Sequence, residues 1–373
     1  MTIRERILSV YNGKTPDLVP FMLDLSHYFY HKNKIPWDLS NTYEEPEYEL
    51  IDYHKKLGVG IFNSHLGLFY KEKYDKNVLY KVEKKICNDK TEIIWSYETP
   101  LGIIKRTRIW DESTYSWAIK EWGVKTVQDL KILGFALSNR KYEPNWESFD
   151  AWKNYVGDYG VIYMLLLYTG LGNLLCRWMG IEETVYAAYE KPDLIREIID
   201  QINENTLNLV DLLCKSPAEV IFIGDNISGD IQSPNFFNKW SKEFYIEAIR
   251  RLHLAKKFVA VHIDGKLHGA LKMIKDTGAD CADSVTPAPM GDLTPEECRK
   301  ETGNDFILSG GPPPNLWLPE ASIDVFKKSV MDWLKLKKYS SRFIATAGDQ
   351  VPPLADEDRI KIMRELIDKY GKY

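Results

Sequence analysis

Residues 258–287 read FVAVHIDGKLHGALKMIKDTGADCADSVTP, and their pattern predicts a strand, a helix and a second strand. The first run, FVAVHIDG (258–265), is apolar and then ends in His262, Asp264 and a glycine. The next, HGALKMIKDTG (268–278), has the apolar spacing of an amphipathic helix. A buried strand, a helix and another strand form the repeating unit of parallel α/β proteins. The stretch therefore predicts an α/β fold in which a buried strand ends in an imidazole and a carboxylate.

Apolar runs of this kind recur along the whole chain. They are PFMLDL (20–25), VGIFNSH (59–65), VIYMLLLYTG (161–170), VIFIGDN (220–226), FVAVHIDG (258–265), DCADSVTP (280–287), FILSGG (306–311) and RFIATAGDQ (342–350). From about residue 160 onward, amphipathic helical segments separate the runs, and one helix is predicted over 233–255. Eight strands with crossover helices predict a (β/α)8 (TIM) barrel, in which all strands end on one face.

Two segments depart from this alternation. The N-terminal stretch TIRERILSVYNGK (2–14) predicts a helical extension. The stretch IIWSYETPLGIIKRTRIW (93–110) has alternating and β-branched residues on both sides of a Pro-Leu-Gly turn, which predicts a β-hairpin. We interpret the region from about 70 to 150 as an insertion between the second and third barrel strands, and residues 1–373 as a single barrel domain.

Composition excludes several classes of protein. The chain has 373 residues, a net charge of −5 and no basic cluster suited to nucleic acid. No window approaches the roughly 18 apolar residues of a membrane span, and the charged N-terminal helix does not resemble a leader, so we expect a cytoplasmic protein with no membrane partner. The five cysteines are odd in number and lack a CxxC spacing, which indicates reduced thiols.

Polar residues end the predicted strands, and in a barrel these ends meet at one mouth, where such enzymes hold their chemistry. They are Asp24, His27, Asn63, His65, Tyr168, Thr169, Asp225, Asn226, His262, Asp264, Asp283, Thr286, Ser309, Asp349 and Gln350. The candidates for proton transfer or catalytic positioning are Asp225, Asn226 and Tyr168. The candidates for substrate binding are Asp24, His27, Asp283 and Gln350. An equal alternative for Asp225 is a structural role, orienting a neighbouring side chain.

The spacing of His262 and Asp264 indicates a shared ligand. Residues two apart in a strand point to the same side, so both side chains can face one site. An imidazole and two carboxylates with an open position are an acceptable catalytic Zn²⁺ set, which makes His262, Asp264 and Asp349 the candidate metal ligands. His268 could add to this set or replace a member. In the alternative interpretation, Asp264 caps the following helix and His262 makes an ordinary hydrogen bond at the barrel rim.

The order of several segments resembles the uroporphyrinogen decarboxylase superfamily, and the resemblance covers nearly the whole chain. TIRERILSVYNGKTPDLVPFML (2–23) is similar to the start of that family, and GDNISGDIQSPNFFNKWSKEFY (224–245) is similar to its fourth-strand segment. The stretch 258–287, followed by ILSGG (307–311), resembles its fifth to seventh strands. The resemblance implies the same barrel fold.

Two branches of this superfamily differ in chemistry. The decarboxylases carry an arginine-rich motif after the first strand, and here that place reads DLSHYFYHK (24–32), without an arginine. YETPLGIIKRTRIWDES (97–113) and VKTVQDLK (124–131) are similar to the corrinoid-dependent methyltransferase branch. That resemblance implies transfer of a methyl group to or from the cobalt of a cobalamin-carrying corrinoid protein, and it is compatible with a homodimer.

Relatives in the methyltransferase branch hold zinc with a His-x-Cys pair and a later cysteine, where this chain has His262, Asp264 and Asp349. Carboxylates leave zinc a harder Lewis acid than thiolates do, which favours an oxygen leaving group. The sequence thus predicts a zinc-dependent enzyme that demethylates a methoxylated, aromatic small molecule. One alternative is a metal-free lyase or decarboxylase in which Asp225 or Asp283 handles protons. A non-catalytic partner-binding subunit would leave the polar strand ends unexplained.

Overall fold

A computed structural model describes residues 1–39, 47–62 and 69–373, so the predicted strand-end residues Asn63 and His65 lie outside the described residues. The strands are β1 (Met22–Leu23), β2 (Gly60–Ile61), β3 (Tyr70–Tyr74), β4 (Leu79–Cys87), β5 (Lys90–Thr99), β6 (Gly102–Asp111), β7 (Ser116–Glu121), β8 (Arg140–Pro144), β9 (Tyr163–Leu166), β10 (Val220–Ile227), β11 (Phe258–Ile263), β12 (Cys281–Val285), β13 (Ile307–Gly310) and β14 (Phe343–Ala345). The helices are α1 (Ile3–Tyr11), α2 (Ser26–Lys32), α3 (Tyr48–Leu57), α4 (Val127–Ser138), α5 (Trp146–Val156), α6 (Gly170–Gly172), α7 (Ile181–Glu190), α8 (Pro192–Leu213), α9 (Pro234–Trp240), α10 (Lys242–Leu254), α11 (Ala270–Lys275), α12 (Pro295–Thr302), α13 (Ile323–Leu334) and α14 (Glu357–Tyr370). None of the helices in these ranges combines the length and the hydropathy needed to cross a membrane.

Eight of the strands are parallel and form a closed ring. Strands β9 to β14 lie side by side in chain order, and β1 pairs with β2. Parallel bridges join these two sheets, between Phe21 and Ala345 at one edge and between Ile61 and Gly160 at the other. The predicted (β/α)8 barrel is confirmed, and each of the eight apolar runs contains all or nearly all of one barrel strand.

Alternate residues of the strands fill the barrel interior. Ala260, Cys281 and Ile307 come from three neighbouring strands and belong to one small apolar cluster. Successive residues of a strand point to opposite sides, so the intervening residues pack outward in the larger cluster shared with the helices. The same alternation brings His262 and Asp283, each two positions further along its strand, to the interior face. The sequence spacing thus determines which side chains reach the mouth.

The N-terminal helix α1 closes the opposite end of the barrel. It begins with a capping box in which Thr2 and Glu5 satisfy each other's backbone amides. Its buried residues Ile7 and Tyr11 belong to the interior cluster, and the Tyr11 hydroxyl donates to that of Tyr163, the first residue of β9, at 2.9 Å. The predicted N-terminal helical extension is confirmed, and it acts as a plug under the barrel.

The predicted hairpin forms one part of a larger antiparallel sheet. Strands β5 and β6 pair around the Pro-Leu turn, with Thr99 opposite Gly102, and β4 and β7 flank them. The sequence pattern does not predict β4, because nearly all of its residues are exposed. Without a buried face, the strand has no alternation of apolar and polar residues. Trp95 and Ile104 of this sheet pack with Trp178 and Ile198 in a second core, which fixes the sheet against α8.

The helix predicted over 233–255 is two helices, α9 and α10. The break is at Ser241, whose φ of −126° and ψ of −33° depart from helical values. Serine is a weak helix former because its hydroxyl competes for backbone hydrogen bonds, so it tolerates such a break. The break leaves Trp240 and Tyr245 both buried, and Tyr245 reaches the strand ends.

Candidate active site

His262 and Asp283 form the centre of the polar group at the barrel mouth. They are directly opposite each other in the β11–β12 pairing, and His262 Nδ1 lies 3.4 Å from Asp283 Oδ2. The hydroxyls of Ser284 and Ser309 donate to the Asp283 carboxylate at 3.1 Å and 3.2 Å. The Asp283 side chain is only 2% exposed, so it is a fixed acceptor that orients the imidazole.

Three further carboxylates surround this pair. Burial lowers the pKa of His262, but the hydrogen bond with Asp283 and the charges of Asp349 and Asp264 together raise it to about 9. Burial raises the pKa of Asp349, and Asp264 and Asp24 raise it further against the opposing charge of His262. The structure therefore brings Asp24, His262, Asp264, Asp283 and Asp349 together, although they are distant in sequence.

The raised pKa of His262 predicts a pH dependence of stability. An imidazole with a higher pKa in the folded state stabilises the fold fully below about pH 6.5, and this contribution is lost as the pH rises through 9. In the presence of a chelator, we expect the unfolding free energy of the wild type to fall by at most about 3 kcal/mol over this interval. The His262→Gln variant should lack this fall in urea titrations at each pH.

A matched control for the pH experiment is His268→Gln. The His268 side chain is 79% exposed and lies 3.6 Å from Glu301, so its loss should leave the wild-type pH profile in place. Parallel pH profiles of the wild type and His262→Gln would contradict the assignment of the shift to His262.

The predicted metal ligands are near one another without forming a closed donor set. Among the residues that the structure describes, no three His, Cys, Asp or Glu side chains make a group that could hold a metal ion as they stand. The donor types do suit zinc, and the Asp283 contact with Nδ1 is the arrangement in which a carboxylate orients a zinc-binding histidine through its other nitrogen. The assignment of His262, Asp264 and Asp349 as ligands stays a prediction.

In the alternative interpretation without a metal ion, Asp264 would cap the helix that follows β11, but the structure shows no side-chain cap there. Helix α11 has Gly269 at its N-cap position and no side-chain cap. The backbone amides of Leu267 and His268 donate instead to the carboxylate of Asp292, at 2.7 Å and 3.3 Å. Asp264 is exposed, so its carboxylate lies in the open mouth.

The Asp225 carboxylate is buried and fully engaged in hydrogen bonds. It accepts hydrogen bonds from the Thr169 amide at 2.9 Å, the Thr169 hydroxyl at 2.6 Å and the Tyr245 hydroxyl at 2.9 Å. The residue is 1% exposed, and burial raises its pKa against these hydrogen bonds. A Cβ added at Gly172 would lie 2.2 Å from its Oδ1. This geometry favours the structural alternative, in which Asp225 ties the start of α6 to the end of β10.

The other two catalytic candidates are accessible. Asn226 is exposed, with a φ of +51°, where the pairing of β10 with β11 shifts register between Ile223 and Ile227. Such bulges re-aim side chains and recur beside active sites. Tyr168 is half-buried, and burial raises the pKa of its hydroxyl. Both side chains are thus placed where they can contact a substrate.

The substrate-binding candidates separate into two groups. Asp24 accepts from the amide and the hydroxyl of Ser26, and its buried Oδ2 has no hydrogen-bond partner among the described residues. The backbone amide of Gln350 donates to Asp349, so Gln350 belongs with the carboxylate group. The ring of His27, in contrast, lies 2.7 Å from the Tyr115 carbonyl, in the contact between α2 and the insertion.

Two neighbours of the site, Glu47 and Cys176, escaped sequence-based reasoning. Burial raises the pKa of Glu47 to about 7 against a hydrogen bond with Tyr30, and Asp24 adds to the shift. The Cys176 thiol lies 3.7 Å from the Asp225 carbonyl, and burial raises its pKa. Neither residue ends a predicted strand, so a search of the strand ends could not find them.

A separate cavity of about 750 Å³ lies between α2 and the inserted sheet. Its lining combines aromatic rings with cationic groups: His31, Lys32, Lys34, Pro36, Trp37, Lys84, Thr91, Trp110, Glu112, Tyr115 and Trp117. None of the predicted catalytic, metal or substrate-binding residues lines it. The polar group at the strand ends therefore remains the candidate active site.

Comparison with known proteins identifies relatives of this barrel. The model of the family described as uroporphyrinogen decarboxylase (URO-D) matches residues 172–370, which is more than half of the chain. A methyltransferase from Methanosarcina mazei has a similar structure, with a TM-score of 0.66 and 15% identity over 99% of each chain. A type I 3-dehydroquinate dehydratase from Clostridium difficile matches with a TM-score of 0.30 and 11% identity, over 60% of this chain and 74% of that chain. No curated protein sequence matches the chain.

Proposed function

This chain belongs to the uroporphyrinogen decarboxylase family, and on that premise we propose that it is a methyltransferase of the superfamily. Its substrate in this proposal is a methoxylated aromatic compound, and the acceptor is the cobalt of a corrinoid protein. The observation that carries the proposal is the imidazole at 262 surrounded by carboxylates at the barrel mouth. The structural similarity to a methyltransferase over the full chain supports it.

An aryl ether is demethylated only if its oxygen can leave with the electron pair of the broken carbon–oxygen bond. The corrinoid cobalt supplies the pair for the new bond to the methyl carbon, so the charge that must be stabilised develops on the ether oxygen. Groups that polarise this oxygen contribute several kcal/mol to such a step. The polar group at the strand ends is where this stabilisation would act.

We propose that His262, Asp264 and Asp349 hold Zn²⁺, which when bound supplies Lewis-acid polarisation of the ether oxygen. Asp283 contacts Nδ1 of His262, and this leaves Nε2 as the ring nitrogen available for binding. Asp225 holds the start of α6 in place through Thr169, and Tyr168, the preceding residue, lies beside the substrate. Asn226 contributes an exposed amide that can donate to an oxygen of the substrate.

The experiment that tests the function uses the purified protein, a methoxybenzoate and a reduced corrinoid protein. The visible spectrum of the corrinoid reports methylation of its cobalt, and chromatography reports the demethylated phenol. Formation of both products in equal amounts supports the proposal. A spectrum that stays unchanged across methoxylated aromatics with different substitution patterns would overturn it.

One observation favours a second candidate, a metal-free lyase. A pKa of about 9 keeps the His262 imidazole protonated at neutral pH in the metal-free protein, so it can donate a proton without a metal ion. Metal analysis separates the two functions. A lyase should retain its activity after dialysis against a chelator, whereas the zinc-dependent methyltransferase should lose it and recover it when Zn²⁺ is returned.

A further inference from the structure

Two arginines lie beside the strand ends of β9 and β10. The Arg177 guanidinium carbon is 5.3 Å from the centre of the Tyr168 ring. Arg108 donates to the carbonyls of Trp117 at 3.0 Å and Cys176 at 3.5 Å. Since the Cys176 thiol lies 3.7 Å from the Asp225 carbonyl, both arginines border the candidate active site.

Both side chains are placed by irregular backbone. Arg177 lies in a π-helical segment, Asn173–Trp178, and π-helical turns recur at functional sites because they re-aim side chains. Arg108 lies where the pairing of β6 with β7 shifts register, between Thr107 and Arg108. A bulge of this kind also re-aims a side chain. Two independent departures from regular structure thus direct cationic groups toward one place.

These cations have no carboxylate partner among the residues that the structure describes. Within the described ranges, neither Arg108 nor Arg177 forms a salt bridge, and the Arg177 guanidinium donates no hydrogen bond to the protein. A third cation, Arg106, is 4% exposed and lies between the rings of Trp95 and Trp178, at 4.3 Å and 5.0 Å.

The positive charges also act on one another. Burial lowers the pKa of Arg108, and the charge of Arg177 lowers it further. The Nε of Arg106 is buried without a hydrogen-bond partner among the described residues. Partly buried cations that repel each other are costly unless a counter-charge is bound. Among the described residues, Asp225 beside Cys176 already accepts hydrogen bonds from Thr169 and Tyr245, so an anionic ligand is a suitable source of the counter-charge.

We propose that Arg108 and Arg177 bind a carboxylate group of the substrate, with the ring of Tyr168 against its aromatic part. The methoxyl group of this substrate rests on the proposed function. The carboxylate is the new inference, and it makes the methyl donor a methoxylated aromatic acid. The planar guanidinium presents parallel N–H donors that match both oxygens of a carboxylate. The bound acid would also reduce the repulsion between the two arginines.

The test is equilibrium binding by calorimetry in the absence of a corrinoid protein. The ligands are 3-methoxybenzoate, its neutral amide 3-methoxybenzamide, and benzoate. The wild type should bind both acids more tightly than the amide. In Arg177→Ala we expect the affinity for both acids to fall roughly 10- to 100-fold, as for the loss of a charge-assisted hydrogen bond, with the affinity for the amide unchanged. Arg177→Lys should restore part of the affinity.

Arg250→Ala is the matched control, because this arginine is 55% exposed and forms its salt bridge with Glu247 of the same helix, α10. Its affinities should equal those of the wild type. Benzoate separates the inference from the proposed function: Arg177-dependent binding of benzoate supports the anion site even if no methyl group is ever transferred. Equal affinity of the wild type for acid and amide overturns the inference. So does an Arg177→Ala variant that binds the acids normally and loses only affinity for a corrinoid protein.

Discussion

Replacing His262 with alanine is expected to lower kcat/KM for methyl transfer by about a thousandfold, the rate equivalent of several kcal/mol of lost electrostatic stabilisation. The substitution removes the nitrogen that we propose to bind zinc and leaves Asp283, Asp264 and Asp349 without the positive charge that they share. Bound zinc, measured by mass spectrometry of the purified protein, should fall from about one equivalent per chain to a small fraction.

His253 offers a matched control within the same barrel. Its Nε2 lies 2.9 Å from Asp280, so it forms another histidine–aspartate pair, between α10 and the residue just before β12, at the opposite end of the strand that carries Asp283. His253→Ala should keep the zinc content and the activity of the wild type. If His262→Ala kept both its zinc and at least a tenth of its activity, the imidazole would have no part in the reaction.

Replacing Asp225 with alanine is expected to destabilise the protein by about 3–5 kcal/mol, because buried donors lose their acceptor at once. The Thr169 amide, the Thr169 hydroxyl and the Tyr245 hydroxyl all donate to this carboxylate. Urea-induced unfolding of the two proteins at neutral pH measures the difference. The loss should exceed that of Tyr245→Phe, which removes one hydrogen bond and costs about 1 kcal/mol.

Gly224→Ala controls for perturbation of the same strand end. A Cβ there would meet Leu165 at 3.4 Å, an ordinary contact, so the stability should change little. A loss below 1 kcal/mol in Asp225→Ala would show that the hydrogen bonds around the carboxylate are replaced by water. In that case Asp225 would be accessible to water, and a catalytic role for its carboxylate would be favoured over the structural role.

The sequence by itself determined the barrel. Each buried strand needs a short apolar run, and each crossover helix needs an apolar stripe of period 3.6. Both patterns are local, so they can be recognised in the sequence before the fold is known. The same alternation of two along FVAVHIDG places His262 and Asp264 on one side of the chain, and convergence at the mouth then follows from the fold class. The hairpin at 93–110 was predictable from its Pro-Leu-Gly turn, whereas the exposed strand β4 left no such pattern.

Only the tertiary structure decided how the polar residues are used. The sequence treats Asp283 as a substrate ligand, and the register of β11 with β12 makes it the partner of His262. The sequence does not decide between a catalytic and a structural role for Asp225. Tyr245, from a helix that begins 17 positions after Asp225, donates the hydrogen bond that favours the structural role. Arg108 and Arg177 are distant in sequence, and a β-bulge and a π-helical turn bring their charges close enough to interact. Burial, hydrogen bonding and charge–charge interaction all depend on distances between residues remote in sequence, and a local pattern contains no information about those distances.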